Sequence, residues 1–154
     1  MASEFDLHAA PGHLLRRAQQ LHAAVFAEVV SEADLTTPQF AVLTALRSSP
    51  GIDQVRLSQH LGIDRSTIAD VSTRLEERGL IRRQRDGQDA RRNLLTLTRA
   101  GRALYDRTMP EVVDVGKRLV APLTAKEQAL LMKFLTAIVA AHDPNFDASA
   151  PSPV

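Results

Sequence analysis

Residues 57–101 read "LSQHLGIDRSTIADVSTRLEERGLIRRQRDGQDARRNLLTLTRAG". Gly62-Ile63-Asp64 separates two apolar-periodic runs, and the second run ends at Gly79. In that second run Ile68, Val71 and Leu75 recur at three and four residues and share one helical face. Ser66, Thr67, Asp70, Thr73 and Arg74 share the opposite face. The spacing predicts a helix over 65–78. A short helix precedes it, with Asp53 as candidate N-cap and Gly62 as its stop. Two short helices joined across a tight turn form a helix-turn-helix pattern. The composition then changes. "LIRRQRD" (80–86) and "RNLLTLT" (92–98) are short apolar or alternating runs around a loop containing Gly87, which predicts a β-hairpin. A hairpin directly after the second helix makes the unit a winged helix-turn-helix.

Outward from this unit the chain is helical. Residues 12–31 place Leu14, Ala18, Leu21, Val25 and Val29 on one stripe. Thr36 and Gln39 fit a capping box, with Pro38 tolerated in the first turn, so a helix is expected over about 37–47. Thr98 caps a helix that Pro110 should kink or divide near 109. Thr124 and Glu127 form a second capping box for a helix over 125–142, with Leu131, Phe134, Leu135 and Ile138 on its apolar face. The tail, 143–154, is rich in Pro, Ser and Ala and is expected to be disordered. The fold class is therefore mainly α with a small β-hairpin wing. A winged helix-turn-helix spans 35–103, an arm 1–11, and dimerisation helices 12–34 and 104–142. The first and last helices carry wide apolar stripes that a small winged domain leaves uncovered, which predicts two-fold pairing of the chain with itself.

The bulk numbers narrow the function by exclusion. A chain of 154 residues, 44% hydrophobic and 24% charged, fits one domain with an ordinary core. The net charge of +1 gives no bulk argument for nucleic acid, so any such argument rests on where the charges sit. The absence of cysteine removes disulfides, thiolate metal sites and thiol redox sensing. The five histidines show no i, i+4 pairing or acid cluster of metal-site type, so no metal and no cofactor is expected. No nucleophile–base pair or glycine-rich phosphate loop suggests an enzyme, and no catalytic residue is assigned. No signal peptide or run of about 20 apolar residues is visible, so the expected compartment is the cytoplasm.

Where the charges sit is informative. "RRQRDGQDARRN" (82–93) holds Arg82, Arg83, Arg85, Arg91 and Arg92 against Asp86 and Asp89. Arginines at a loop tip can enter a narrow minor groove, and those nearer the strands can neutralise phosphates. Asp89 can hold the Arg91 guanidinium fork in one direction. The plainer reading is a solvated turn with weak local ion pairs. Small polar side chains at the start of helix 65–78 let its backbone enter a major groove, against the plainer reading of an ordinary surface helix.

With "LTTPQFAVLTAL" (35–46), the 57–101 stretch and the flanking helices, nearly the whole chain outside the tail resembles the MarR family of bacterial transcriptional regulators. The wing pattern "GLIRRQRDGQDARR" running into "LTLTRAG" carries the likeness most specifically. The resemblance implies a homodimeric repressor bound to a double-stranded DNA operator and released by a small ligand. By position it implies that Asp64, Arg65, Ser66, Thr67 and Asp70 meet the major groove and that Arg83 meets the DNA backbone. It puts Arg91 at the wing tip in the minor groove, oriented by Asp89. Arg74 and Arg85 complete the DNA-facing set. Asp70 departs from the usual neutral or basic residue: it can accept from a cytosine amino group, repel phosphate, or pair with Arg74. "HLLRRAQQLH" (13–22) resembles family members that respond to aromatic or phenolic carboxylates, which implies Arg16 as a carboxylate clamp and His22 as a hydroxyl partner. Arg17 competes for the clamp role, and surface or packing roles stand beside both assignments. A winged-helix module that binds protein rather than DNA is the alternative function.

Overall fold

The polar turns that the sequence sets between its apolar runs become helix stops. In the computed structural model, which describes residues 6–87 and 92–146, Gly62 and Gly79 adopt φ of +61° and +68°. Each follows a helix whose last carbonyls are closed by a six-to-one and a five-to-two hydrogen bond. For Gly79 these are Leu80 N–H to the Leu75 carbonyl (2.9 Å) and Gly79 N–H to the Glu76 carbonyl (2.8 Å). A residue with a Cβ is strained in that conformation, so glycine fixes where each helix ends.

The helices are α1 (Pro11–Val29), α2 (Thr37–Ser48), α3 (Gln54–Leu61), α4 (Arg65–Glu77), α5 (Arg99–Val120) and α6 (Ala125–His142). Short 3₁₀ turns at Leu7–Ala9 and Ser31–Ala33 flank α1. Both capping boxes form as expected: Thr36 with Gln39 at α2, and Thr124 with Glu127 at α6. The hairpin also forms, as β2 (Ile81–Arg85) and β3 (Asn93–Leu97), in the register Ile81↔Leu97, Arg83↔Leu95, Arg85↔Asn93. A strand that the sequence does not announce, β1 (Ile52–Asp53), pairs antiparallel with β3 and makes the order β1–β3–β2. Two residues are too few to carry a period-2 pattern; only the presence of β3 makes them a strand.

Helix α2 is the centre of the core. Its Phe40, Val42, Leu43, Ala45 and Leu46 are buried, and α3, α4, α5 and β3 pack around it. From α4 come Ile68, Val71 and Leu75, the face read from the sequence. Truncating a fully buried leucine such as Leu75 to alanine costs about 2–5 kcal/mol. A ladder of rings, Phe26 to Phe40 (6.1 Å) and Phe40 to Tyr105 (5.4 Å, stacked), ties α1 and α5 to α2.

Pro110 does not divide α5. The helix runs unbroken from Arg99 to Val120, although Pro110 offers no N–H to the carbonyl four residues earlier. Both Pro110 and Asp106 are exposed, and α5 packs on α1. The helix also crosses the expected boundary between residues 103 and 104, since one element serves the winged unit at its start and the outer helices at its end. Of the tail, only 143–146 lies among the described residues and carries a turn closed by the Asp143 carbonyl and carboxylate. The remainder of the tail and the first five residues lie outside them.

The C-terminal half of the α1 stripe joins the core, through Phe26 and Val30 with Val25 and Val29 beside them. The N-terminal half does not: Leu14 and Leu21 are each more than half exposed. Helix α6 has no buried residue among those described and packs only marginally on the rest of the protomer. Leu14, Leu15, Leu21, Phe134, Leu135 and Ile138 line an open apolar cleft of about 520 Å3 between α1, the end of α5 and α6.

Candidate nucleic-acid interface

Asp64 opens α4 as its N-cap. Its carboxylate accepts the Thr67 N–H at 2.9 Å, and the hydroxyls of Ser66 and Thr67 both donate to it at 2.6 Å. These bonds, the Ser66 hydroxyl first and the Thr67 hydroxyl next, hold the Asp64 pKa far below the usual carboxylate range. A hydroxyl carries one proton and two lone pairs. With both protons turned to Asp64, Ser66 and Thr67 offer an outside partner acceptors only. Arg65, Asp70, Thr73 and Arg74 are exposed on the same side of α4. No ion pair joins Asp70 to Arg74 among the described residues, so that structural role for Asp70 is not realised in the protomer.

The wing strands stand beside this helix. Arg83 is half-buried, with Nη2 3.4 Å from Glu76 Oε2 on the last turn of α4. The pair joins β2 to α4 and restrains the guanidinium near it. Arg85 ends β2 and is exposed. Arg82 Nε donates across the hairpin to Thr96 Oγ1 at 3.0 Å. Asp89 and Arg91, expected at the wing tip, lie outside the described residues.

Arg92 is one of the five arginines of the 82–93 stretch and receives no separate role from the sequence. The fold gives it partners. Its guanidinium pairs with the buried Asp53 carboxylate, and its Nη1 lies 3.9 Å from Asp86 Oδ2. Asp53 is the N-cap of α3, as expected, accepting the Arg56 N–H at 2.9 Å. That bond first, and the Arg92 hydrogen bond next, lower its pKa. Arg78 was likewise not singled out. It donates to the Ala33 (3.0 Å) and Asp34 carbonyls, anchoring the end of α4 to the turn after α1. Neither role has a sequence signal, because the partners are 39 and about 45 positions away.

The residues read as an effector pair lie on α1. Arg16 is exposed and its Nη2 is 3.3 Å from His13 Nδ1. His22 is half-buried, its ring 6.3 Å from that of Phe26. The protomer makes no direct contact between them, and neither lines the apolar cleft. Arg17 bonds weakly to Gln20 at 3.4 Å. Among the described residues no group of three or more His, Asp or Glu side chains is placed to hold a metal, and no helix is long and apolar enough to cross a membrane.

Known proteins match this arrangement. The MarR family model matches residues 35–92, from the start of the α2 cap to the wing. The transcriptional regulator HosA of Escherichia coli O127:H6 is 36% identical over 123 residues, 80% of this chain and 90% of the relative. The PcaV transcriptional regulator from Streptomyces coelicolor, solved with its natural ligand, is 43% identical and superposes with a TM-score of 0.83 over 92% of this chain and 99% of its own. BpsR of Bordetella bronchiseptica, whose DNA binding is regulated by 6-hydroxynicotinic acid, is 32% identical, with a TM-score of 0.84 over 88% of this chain and 97% of its own. Sequence and fold agree along nearly the whole length: the chain belongs to the MarR family of winged helix-turn-helix transcriptional regulators and is not an enzyme.

Proposed function

We propose that the chain acts as a homodimeric repressor that binds a pseudo-palindromic duplex operator and leaves it when a small aromatic or phenolic carboxylate binds. The observation that carries this reading is the side-by-side placement of the polar, exposed face of α4 and the arginine-bearing strand β2, tied together by Arg83 and Glu76. In this reading α4 enters the major groove with Asp64, Arg65, Ser66, Thr67, Asp70 and Arg74. Arg83 and Arg85 neutralise backbone phosphates, and Arg91, guided by Asp89, enters the minor groove. Two copies joined through α1, α5 and α6 cover the apolar cleft and place half-sites about one helical turn, roughly 10 bp, apart.

Duplex titration against salt is the test. The affinity should fall steeply as salt rises, because arginine–phosphate contacts release counterions. Little duplex binding at any salt would favour a protein-interaction module instead. Arg91→Ala should weaken binding to all sites and leave base preference largely intact; unchanged affinity removes the wing from the interface.

For the effector, Arg16 has no acidic partner among the described residues, only His13, and is exposed to meet a carboxylate, with His22 six residues on. The regulation of BpsR by 6-hydroxynicotinic acid supports this ligand class. Arg16→Ala should leave operator binding intact and abolish release by the responsive acid, found by thermal-shift screening of aryl and phenolic acids. Unaltered release in Arg16→Ala rejects the clamp.

A further inference from the structure

The outer part of the wing is held to the rest of the domain by little regular structure. Strand β1 meets β3 at only two residue pairs, Ile52↔Leu95 and Asp53↔Leu94. At that junction Asp53 does three things at once. Its backbone pairs in the sheet, its carboxylate caps α3, and the same carboxylate takes the Arg92 guanidinium. Arg92 reaches on to Asp86, whose N–H donates to the Arg92 carbonyl at 3.0 Å. Arg92 thus links Asp86, at the other end of the described hairpin, to one buried acid at the start of the helix-turn-helix. An ion pair with one nearly buried partner is directional and poorly screened by salt. Ile81, Leu95 and Leu97 hold the inner part of the hairpin in the core, but the ladder to β1 ends at Leu94, so the Arg92–Asp53 pair carries the tie from there outward.

We propose that Arg92 is a positioning residue for DNA binding: through Asp53 it fixes the base of the wing against α3, so that α4 and the wing tip engage neighbouring grooves together. This rests on the DNA-binding reading above. Arg92 itself touches no DNA in this account, although its side chain is part-exposed beside an open cavity of about 410 Å3 lined by Gln54, Val55, Arg56, Gln59 and Asn93 as well as the pair. A guanidinium there has a second option, a backbone phosphate, and the two roles make opposite predictions for Asp53. If Arg92 positions, losing the Asp53 charge loosens the wing and weakens binding. If Arg92 contacts phosphate, losing that charge frees it and strengthens binding.

The experiment uses the full chain and a duplex that the wild type selects from a randomised pool. Asp53→Asn retains an oxygen that accepts the Arg56 N–H, so the α3 cap and the fold are kept. Arg92→Met removes the guanidinium. Each variant is expected to bind about tenfold more weakly, and the double variant no more weakly than either alone, because both break one coupling. Hydroxyl-radical protection of the minor groove beneath the wing should be lost. Protection of guanine N7 in the major groove should remain, a split that a general loss of stability does not produce. Asp53→Asn binding as tightly as wild type, or more tightly, overturns the proposal, as do additive losses or equal loss of both protections. A wild type that selects no duplex overturns the DNA-binding reading itself, and the proposal with it.

Discussion

Asp64 shows how one side chain sets the chemistry of its neighbours. The sequence places Asp64, Ser66 and Thr67 together at the start of α4, and a helix N-cap explains the acid. The fold adds the partner of both hydroxyls: each lies 2.6 Å from the carboxylate, which can only accept, so each donates to it. The lone pairs that remain fit the amino groups of adenine and cytosine in a major groove. Replacing adenine by purine, or cytosine by 2-pyrimidinone, at the contacted positions should weaken wild-type binding about two- to tenfold, the worth of one hydrogen bond. The Ser66→Ala/Thr67→Val double variant should be indifferent to that replacement, as read by duplex titration. Asp53 carries a pH signature. Its folded-state pKa lies below the unfolded value of about 3.9, so its contribution is complete above that value and is lost as pH falls through the lower folded value. Thermal midpoints measured from pH 7 to 3 should fall at the acid end, and Asp53→Asn should flatten that limb.

At the scale of elements, the junction between wing and α5 is the least tolerant place. Thr98 donates its hydroxyl to the Gly79 carbonyl at 2.7 Å and caps α5 by accepting the Gly101 N–H at 3.0 Å, so one residue joins the end of α4, the start of β2 and the start of α5. Gly101 lies against the same turn. A Cβ there would sit 1.9 Å from the Leu80 carbonyl oxygen, which is backbone and cannot move aside cheaply. Gly101→Ala, a change that favours an isolated helix, is therefore expected to destabilise the protein by about 1–3 kcal/mol or more, seen as a thermal midpoint several degrees lower. A midpoint equal to the wild type would show that α5 can slide away from β2. Glycine here serves close approach, whereas Gly79, three positions beyond Glu76, serves backbone conformation.

At the scale of the whole molecule, the protomer leaves an apolar surface open. Helix α6 is apolar yet has no fully buried residue, and Leu14, Leu21, Met132, Phe134 and Ile138 stand about half exposed or more. An apolar surface of this extent marks an interface rather than a solvent face. Phe134→Glu places a charge at the middle of that surface. Light scattering should then report half the wild-type mass, with operator affinity reduced because the two half-sites are no longer bound together. A wild-type mass for Phe134→Glu would put the interface elsewhere.

The local code determined a great deal. Capping pairs such as Thr36 with Gln39, stops such as Gly62 and Gly79, and the Ile68–Val71–Leu75 face are short-range patterns, and each reads directly as a helix with a defined start, end and buried side. The basic hairpin after α4 was legible for the same reason. The tertiary structure decided what depends on distant partners. Residues 52–53 are a strand only because β3 lies beside them. Arg92 is a clasp only because Asp53 is buried across from it, and Pro110 stays inside one helix that packs on α1. Arg83, read as a phosphate contact, is tied to Glu76 by the packing of β2 on α4. In each case the energy comes from a contact made across the fold, and a contact between residues far apart in the chain leaves no periodicity for the sequence to display.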